Sequence, residues 1–260
     1  MATAPERLVF SDDFDGPALD TEVWLPHYLP QWSSRAASAA TWRVADSCLE
    51  LSIPPGQPLW CPEQEPTPLR VSAVQSGVFS GPVGSTVGQQ PMTASTVVRE
   101  EQPLHVGWAP TYGRLEMRMR MDLGPRSMAA WWLVGLEDEP RRCGELCVAE
   151  VFGDAVTDAG TAVGMGVHAF RDPGLAEDFA APVLPVDVAE FHDYAVDWRP
   201  GSADFLVDGT VVRTVRQSPD YPMQSMVAVF DFPGKPAGPD PDHVPRLVVD
   251  RVRGWAPEEP

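Results

Sequence analysis

The stretch that decides the fold is residues 112–121, which read YGRLEMRMRM. Apolar side chains recur at every second position from Leu115 to Met121, and charged side chains lie between them. A period of two places the apolar residues on one face of a β-strand and the charged residues on the other. The stretch therefore predicts a strand of an antiparallel sheet with one buried face.

Further runs along the chain also have strand character. In residues 203–215, Asp208-Gly209 separates two apolar runs and predicts a hairpin, because Gly tolerates positive φ. Pro and Gly clusters separate the other strand-like runs, which are 8–14, 42–53, 72–79, 95–99, 129–136, 145–152, 163–170, 191–198, 223–232 and 246–255. The nearest helical candidate, residues 33–40, has no apolar stripe. We expect one all-β domain over residues 1–260, a sandwich or jelly roll of antiparallel sheets.

The charge balance excludes two classes of partner. The chain has 260 residues, with 37 acidic against 19 basic side chains and a formal charge of −18. Nucleic acids and anionic membranes bind basic surfaces, so we expect neither as a partner. Residues 1–10 have no basic start followed by a long apolar core. We expect a monomer that is cytoplasmic as the chain stands, or secreted if a leader was removed.

Four cysteines are spread through the sequence, at positions 48, 61, 143 and 147. The spacing of Cys143 and Cys147 is not that of a zinc ribbon or a redox motif. Small buried thiols are the simplest interpretation, and a disulfide between Cys48 and Cys61 is the alternative.

Residues 144–153, GELCVAEVFG, place two carboxylates in an apolar run. On a regular strand Glu145 and Glu150 would face opposite sides. A one-residue bulge would bring Glu145, Cys147 and Glu150 to the same side. Two carboxyl groups about 5–5.5 Å apart suit a retaining glycosidase, with one as nucleophile and one as proton donor.

This segment resembles the catalytic strand of glycoside hydrolase family 16, the laminarinase- and lichenase-like β-glucanases, whose bulged motif is Glu-x-Asp-x-x-Glu. The similarity extends over nearly the whole chain, through residues 14–24, 112–116, 129–133, 191–198, 207–209 and 249–253. It implies a concanavalin A-like jelly roll of two curved antiparallel sheets with an open groove. It also implies retaining hydrolysis of β-linked glycans, as in endo-β-1,3- or 1,3-1,4-glucanases, with Glu145 as nucleophile and Glu150 as acid and base.

The chain departs from the family motif at two positions. The middle Asp, which hydrogen-bonds the nucleophile, is Cys147 here, and a thiol is a weak donor. We therefore count Cys147 with the catalytic residues and expect slower chemistry or none. A family Trp falls on Met128, which removes a ring on which a sugar stacks.

Three further side chains are candidates for substrate binding. Trp132 would face the groove by strand parity, with core packing as the alternative. Arg114 would reach a sugar hydroxyl, against the simpler case of a solvated arginine beside a sheet. His168 would line the groove, as a histidine often does in this family, or else be structural.

The resemblance also implies a structural calcium with Asp250 as a last-strand ligand, and no other cofactor. Three functions stay open from the sequence. The first is a retaining endo-β-glycosidase acting on a polysaccharide or oligosaccharide. The second is a lectin-like binding domain with weak or no catalysis, which Cys147 and Met128 favour. The third is an intracellular enzyme acting on another kind of glycoside.

Overall fold

The computed structural model describes residues 6–257, in which almost all regular structure is β-strand. In chain order the first strands are β1 (Glu6–Asp12), β2 (Thr41–Ala45), β3 (Cys48–Ser52), β4 (Arg70–Gln75), β5 (Gly77–Val78), β6 (His105–Val106), β7 (Gly113–Asp122), β8 (Ser127–Gly135) and β9 (Glu145–Phe152). The later strands are β10 (Val156–Thr157), β11 (Gly160–Ala162), β12 (Gly164–His168), β13 (Asp178–Ala180), β14 (Val183–Leu184), β15 (His192–Arg199), β16 (Ser202–Val207), β17 (Thr210–Val215), β18 (Met223–Asp231) and β19 (Arg246–Pro257).

The helices in this part of the chain are two short 3-10 turns, Pro30–Trp32 and Gly153–Ala155. Neither is long and apolar enough to cross a membrane. The expectation about the first ten residues rests partly on residues 1–5, which lie outside the described range.

Two sheets form the body of the molecule. The eight-stranded sheet has the order β17-β16-β15-β7-β19-β3-β2, with β1 also paired to β19. The six-stranded sheet has the order β13-β12-β9-β8-β18-β4. Every pairing in both is antiparallel. The predicted all-β class and jelly-roll sandwich are confirmed.

The main core lies between the two sheets. Strand β7 contributes its alternating apolar side chains from Leu115 to Met121, all buried, while its charged side chains face away from the core. From the six-stranded sheet, Trp131 meets them and is fully buried, with its indole N–H donating to Ser225 Oγ at 3.0 Å. The period-two pattern of β7 therefore arises because only one face of its sheet is buried.

The six-stranded sheet is covered on its second face as well. Trp132 and Phe230 on that face pack with Tyr28, Trp32 and Trp60 from the loops above it. Every residue of β8 and β18 is buried as a result. Burial on both faces explains why these strands are mostly apolar instead of alternating.

Two strand predictions are wrong in detail. Residues 42–53 form the hairpin of β2 and β3 instead of one strand, and the turn residues Asp46 and Ser47 both have φ of 53°. The turn carries no glycine, so the usual sequence signal of a two-residue hairpin turn is missing. Residues 95–99 form no strand and belong to a long loop.

The turn between β2 and β3 has a serine in the left-handed region, whereas the turn between β16 and β17 has a glycine there. Exchanging these residue types should therefore change the stability in opposite directions. Replacing Ser47→Gly should raise the free energy of unfolding by about 1 kcal/mol, because glycine adopts the left-handed region without the Cβ clash. Replacing Gly209→Ser, where φ is 74°, should lower it by a similar amount. Thermal unfolding checks both, with midpoint shifts of about 2–4 °C in opposite directions. Shifts of the same sign would contradict this account of the turns.

Candidate active site

A β-bulge in β9 organises the candidate site. Across to β8, Ala149 pairs with Trp131 and Cys147 pairs with Trp132, so Val148 is the extra residue. Val148 and Ala149 are consecutive, yet both are buried in the core between the sheets. The bulge thereby reverses the parity of the strand, as the sequence predicted.

The reversal brings three predicted residues, Glu145, Cys147 and Glu150, to one cavity of about 150 Å³. The cavity lies on the face of the six-stranded sheet that is turned away from the main core. Its lining residues are Tyr28, Gln90, Met128, Ala130, Trp132, Glu145, Cys147, Glu150 and Phe230. No lysine or arginine is among these lining residues, so the two carboxyl groups share the cavity without a cationic partner in its wall.

Glu145 is the more deeply enclosed of the two acids, with 8% of its surface exposed. Its Oε2 accepts a hydrogen bond from Gln90 Nε2 at 2.8 Å. Burial, and secondly the charge of Glu150, raise the pKa of Glu145 to about 8 in spite of this hydrogen bond.

Glu150 is half-buried and lies opposite Gly164 of β12. Burial raises the pKa of its carboxyl, and the charge of nearby His168 opposes that rise. Gly164 keeps this side of the cavity clear: a Cβ there would lie 2.5 Å from the Phe179 ring and 3.2 Å from Glu150 Cβ. The two acids therefore differ in enclosure, and interacting carboxyl groups of this kind titrate as a pair.

Cys147 lies between the two acids on the strand and is 1% exposed. Burial and the charges of Glu145 and Glu150 raise the pKa of its thiol well above the ordinary range. The thiol stays neutral, and its nearest polar contact is the Gly164 carbonyl oxygen, 3.9 Å from Sγ. It offers neither a negative charge nor a strong donor to Glu145.

Aromatic rings surround the acids. Trp132 faces the cavity as predicted, and its buried Nε1 has no hydrogen-bond partner among the described residues. Met128, at the position of the family Trp, lies in the floor of the cavity. Phe230 on the neighbouring strand packs edge-on against Tyr28 at 5.4 Å and lies 6.3 Å from Trp132. The cavity therefore keeps an aromatic wall although the ring at position 128 is absent.

His168 lies beside the cavity without lining it. It is the register partner of Glu145 on β12, and its ring stacks on Phe179 with centroids 4.5 Å apart. Its Nδ1 is 2.6 Å from Glu177 Oε1. Phe179 and Glu177 thus hold the His168 ring in place, close enough to Glu150 to influence the pKa of its carboxyl.

Arg114 is not brought to the site, which corrects the prediction that it contacts the substrate. It lies on β7 of the eight-stranded sheet and points away from the core. Its guanidinium pairs with Glu116 at 2.8 Å and with Asp197 at 3.1 Å. Sequence parity gave the correct face of the strand but not which sheet carries the cavity.

The surroundings of Asp250 do not fit a calcium ion. Its carboxylate pairs with Arg251 at 2.9 Å and with Arg118 at 3.5 Å. Within residues 6–257 no cluster of three or more His, Cys, Asp or Glu side chains could hold a metal.

All four cysteines are free thiols, so the alternative of a disulfide between Cys48 and Cys61 is wrong.

Sequence reasoning missed Gln90 and Tyr28. Gln90 belongs to the 79–104 loop (residues 79–104, between β5 and β6), and Tyr28 belongs to the segment between β1 and β2. Both reach the cavity from regions without strand periodicity. No local pattern marks either residue, because only the tertiary fold brings them to β9.

Comparisons with known proteins agree with this geometry. Residues 107–237, which contain both acids of the cavity, match the family model described as glycosyl hydrolases family 16. No curated protein sequence matches the chain.

Solved structures share the fold. A GlcNAcα1-4Gal-releasing endo-β-galactosidase from Clostridium perfringens is similar with a TM-score of 0.83 and 26% identity, over 98% of this chain and 63% of that chain. This chain thus spans less than two thirds of that structure. An endo-1,3-β-glucanase (laminarinase) catalytic domain from Thermotoga petrophila has a TM-score of 0.67 and 17% identity, over 99% and 100% of the two chains. A laminarinase from Rhodothermus marinus has a TM-score of 0.65 and 20% identity, over 98% and 99%.

The raised pKa of Glu145 predicts a pH-dependent stability. Between its ordinary pKa of 4.5 and about 8, the unfolded chain has lost this proton while the folded chain keeps it. The free energy of unfolding therefore falls through that window and the loss is complete above pH 8. Glu145→Gln removes the loss, so the variant should match the parent near pH 4 and exceed it by a few kcal/mol at pH 8.5.

Urea unfolding at both pH values measures the difference. Glu50→Gln is the matched control, since a hydrogen bond from Arg43 lowers the pKa of Glu50. That variant should be less stable than the parent at pH 8.5, and the difference should shrink below pH 4.5, where the parent loses the contribution of ionised Glu50. Equal stability of Glu145→Gln and the parent at pH 8.5 would refute the buried, uncompensated position of Glu145.

Proposed function

This chain belongs to glycosyl hydrolase family 16, and on that premise we propose that it cleaves β-linked glycans internally with retention of configuration. Glu145 is the proposed nucleophile and Glu150 the proposed general acid and base. The observation that carries the proposal is the bulge that turns both carboxyl groups into one cavity. A buried pair of acids without a cationic partner destabilises the fold, and catalysis gives a reason for keeping it.

The first step forms a covalent intermediate. A Glu145 carboxylate oxygen attacks the anomeric carbon while the bond from that carbon to the glycosidic oxygen breaks. Glu150 gives its proton to the departing oxygen, which leaves as a hydroxyl of the leaving sugar.

The second step releases the intermediate. Glu150, now a carboxylate, takes a proton from a water molecule, and the water oxygen attacks the same anomeric carbon. The bond from that carbon to Glu145 breaks and both acids return to their starting state. Two inversions at one carbon give net retention.

The reactive form of the pair carries one proton. Raised pKa values at both acids support a singly protonated pair through neutral pH. Catalysis needs this proton on Glu150 and the charge on Glu145. Burial opposes the charge on Glu145, so the groups around that carboxylate decide how much of the pair is reactive.

The similar solved structures support two candidate classes of glycan. The laminarinase neighbours favour β-1,3-glucans, one of the two kinds of substrate that the resemblance implied. The galactosidase neighbour, which has the higher identity, favours a β-galactoside. Both kinds of substrate are neutral, which suits a chain with a formal charge of −18.

Incubation with laminarin, lichenan, agarose, xyloglucan and a galactose-containing mucin glycan tests the proposal. We expect new reducing ends from at least one of these substrates, with the β-anomer appearing first by proton NMR. Glu145→Gln and Glu150→Gln should each lower turnover by at least about 10³-fold, since each removes a reacting group.

Azide separates the two roles. In Glu145→Ala it should attack the glycan directly and give an α-glycosyl azide, whereas in Glu150→Ala it should intercept the intermediate and give a β-azide. Binding of a glycan without new reducing ends, unchanged in Glu145→Gln, would replace the hydrolase with the lectin-like alternative.

Cys147→Asp should raise turnover. A carboxyl group buried between two acids keeps its proton, and it would then donate a strong hydrogen bond to anionic Glu145. Cys147→Ala is the control, because it removes the thiol without adding a donor, and it should give no gain. The measurement is kcat on the best substrate, and a rise in both variants would show that space alone was limiting.

A further inference from the structure

We infer that Gln90 is a positioning residue for Glu145, and that its side-chain amide supplies the hydrogen bond that the neutral thiol at position 147 does not provide. This inference rests on the proposed function of Glu145 as nucleophile. The direct observation is the 2.8 Å contact from Gln90 Nε2 to Glu145 Oε2.

A buried carboxylate anchors the backbone of Gln90. The Gln90 N–H donates to Glu137 Oε1 at 2.6 Å, and Glu137 is 4% exposed. Arg171 pairs with the other oxygen of Glu137. Gln90 itself has φ of 45°, a conformation that a non-glycine residue adopts only when its surroundings hold it there. Arg171 therefore holds Glu137, and Glu137 in turn holds the backbone of Gln90, the residue that contacts Glu145.

The neighbouring residue clamps the loop from the other side. The carbonyl of Gln89 accepts hydrogen bonds from Trp32 Nε1 at 2.8 Å and Gln31 Nε2 at 3.1 Å. Its side-chain oxygen accepts from the Phe79 N–H at 3.1 Å. Residues 89 and 90 are thus held on both sides, and the amide reaches Glu145 from a preorganised backbone.

The amide is suited to this place because it donates without adding charge. A hydrogen bond to the carboxylate favours its ionised form and lowers the pKa of Glu145 against the effect of burial. An acidic side chain in the same place would add a third negative group. The other titratable or polar groups near Glu145 are Glu150, Cys147, His168, Glu177 and Tyr28. None of them is a permanent cation, which leaves the Gln90 amide as the donor that favours the reactive charge state.

Gln90→Met tests the role, because methionine keeps the length of the side chain and removes the donor. We expect kcat to fall about a hundredfold with little change in KM. The acidic limb of the kcat/KM profile should move to higher pH, because that limb reports ionisation of the nucleophile. Gln57→Met is the matched control: the buried Gln57 side chain donates to the Val71 carbonyl and accepts from Thr41 Oγ1, and it touches neither Glu145 nor the 79–104 loop. It should lower the melting temperature without moving the acidic limb.

A readout without turnover separates this inference from the proposed function. In Gln90→Met the free energy of unfolding should continue to fall above pH 8, where the contribution of Glu145 in the parent levels off, and this difference should vanish in the Glu145→Gln background. Absence of hydrolysis by the parent protein would sink the proposed function and this role with it. Hydrolysis by Gln90→Met with an unmoved acidic limb would overturn the role of Gln90 alone.

Discussion

One extra residue in β9 is the constraint on which the site depends. A regular strand would send Glu150 into the core, where a carboxylate has no partner, and would turn Val151 out of it. The bulge instead gives both consecutive residues, Val148 and Ala149, to the core, and returns Glu150 to the face that carries Glu145. The local irregularity thus satisfies two demands at once, since it fills the core and places both acids in one cavity.

The two sheets treat charge in opposite ways. On the outer face of the eight-stranded sheet, arginines and carboxylates pair, as Arg114 does with Glu116 and Asp197. Pairing of this kind adds little to stability on a surface. In the cavity the acids meet each other and uncharged side chains, so the effect of burial on Glu145 is opposed mainly by the Gln90 hydrogen bond. The same sequence therefore builds a stable charged surface on one sheet and a strained acidic pair on the other.

Much of the fold was readable because its signals are local. Alternation in β7, the Asp208-Gly209 turn and the apolar runs of β8 and β18 each follow from a few neighbouring residues. The bulge was expected from the resemblance to the bulged family motif, since Glu145 and Glu150 would face opposite sides of a regular strand. Arg114 was misplaced because the pattern of a strand does not say which sheet carries the groove. The role of Gln90 could not be predicted from the sequence, because its contact with Glu145 spans 55 positions and joins a loop to a strand.

The neutral thiol at position 147 changes which element controls the charge of Glu145. An acid at that position would act on Glu145 from within the same strand, at a distance fixed by the bulge. With a neutral thiol there, the donor to Glu145 comes instead from the 79–104 loop, through Gln90 and its anchor Glu137. A strand is rigid and a loop is held by fewer contacts, so the charge state of Glu145 becomes tied to how firmly that loop is clamped. The hydrogen bonds from Trp32 and Gln31 to residue 89 are for this reason part of the chemistry of the site as well as of its packing.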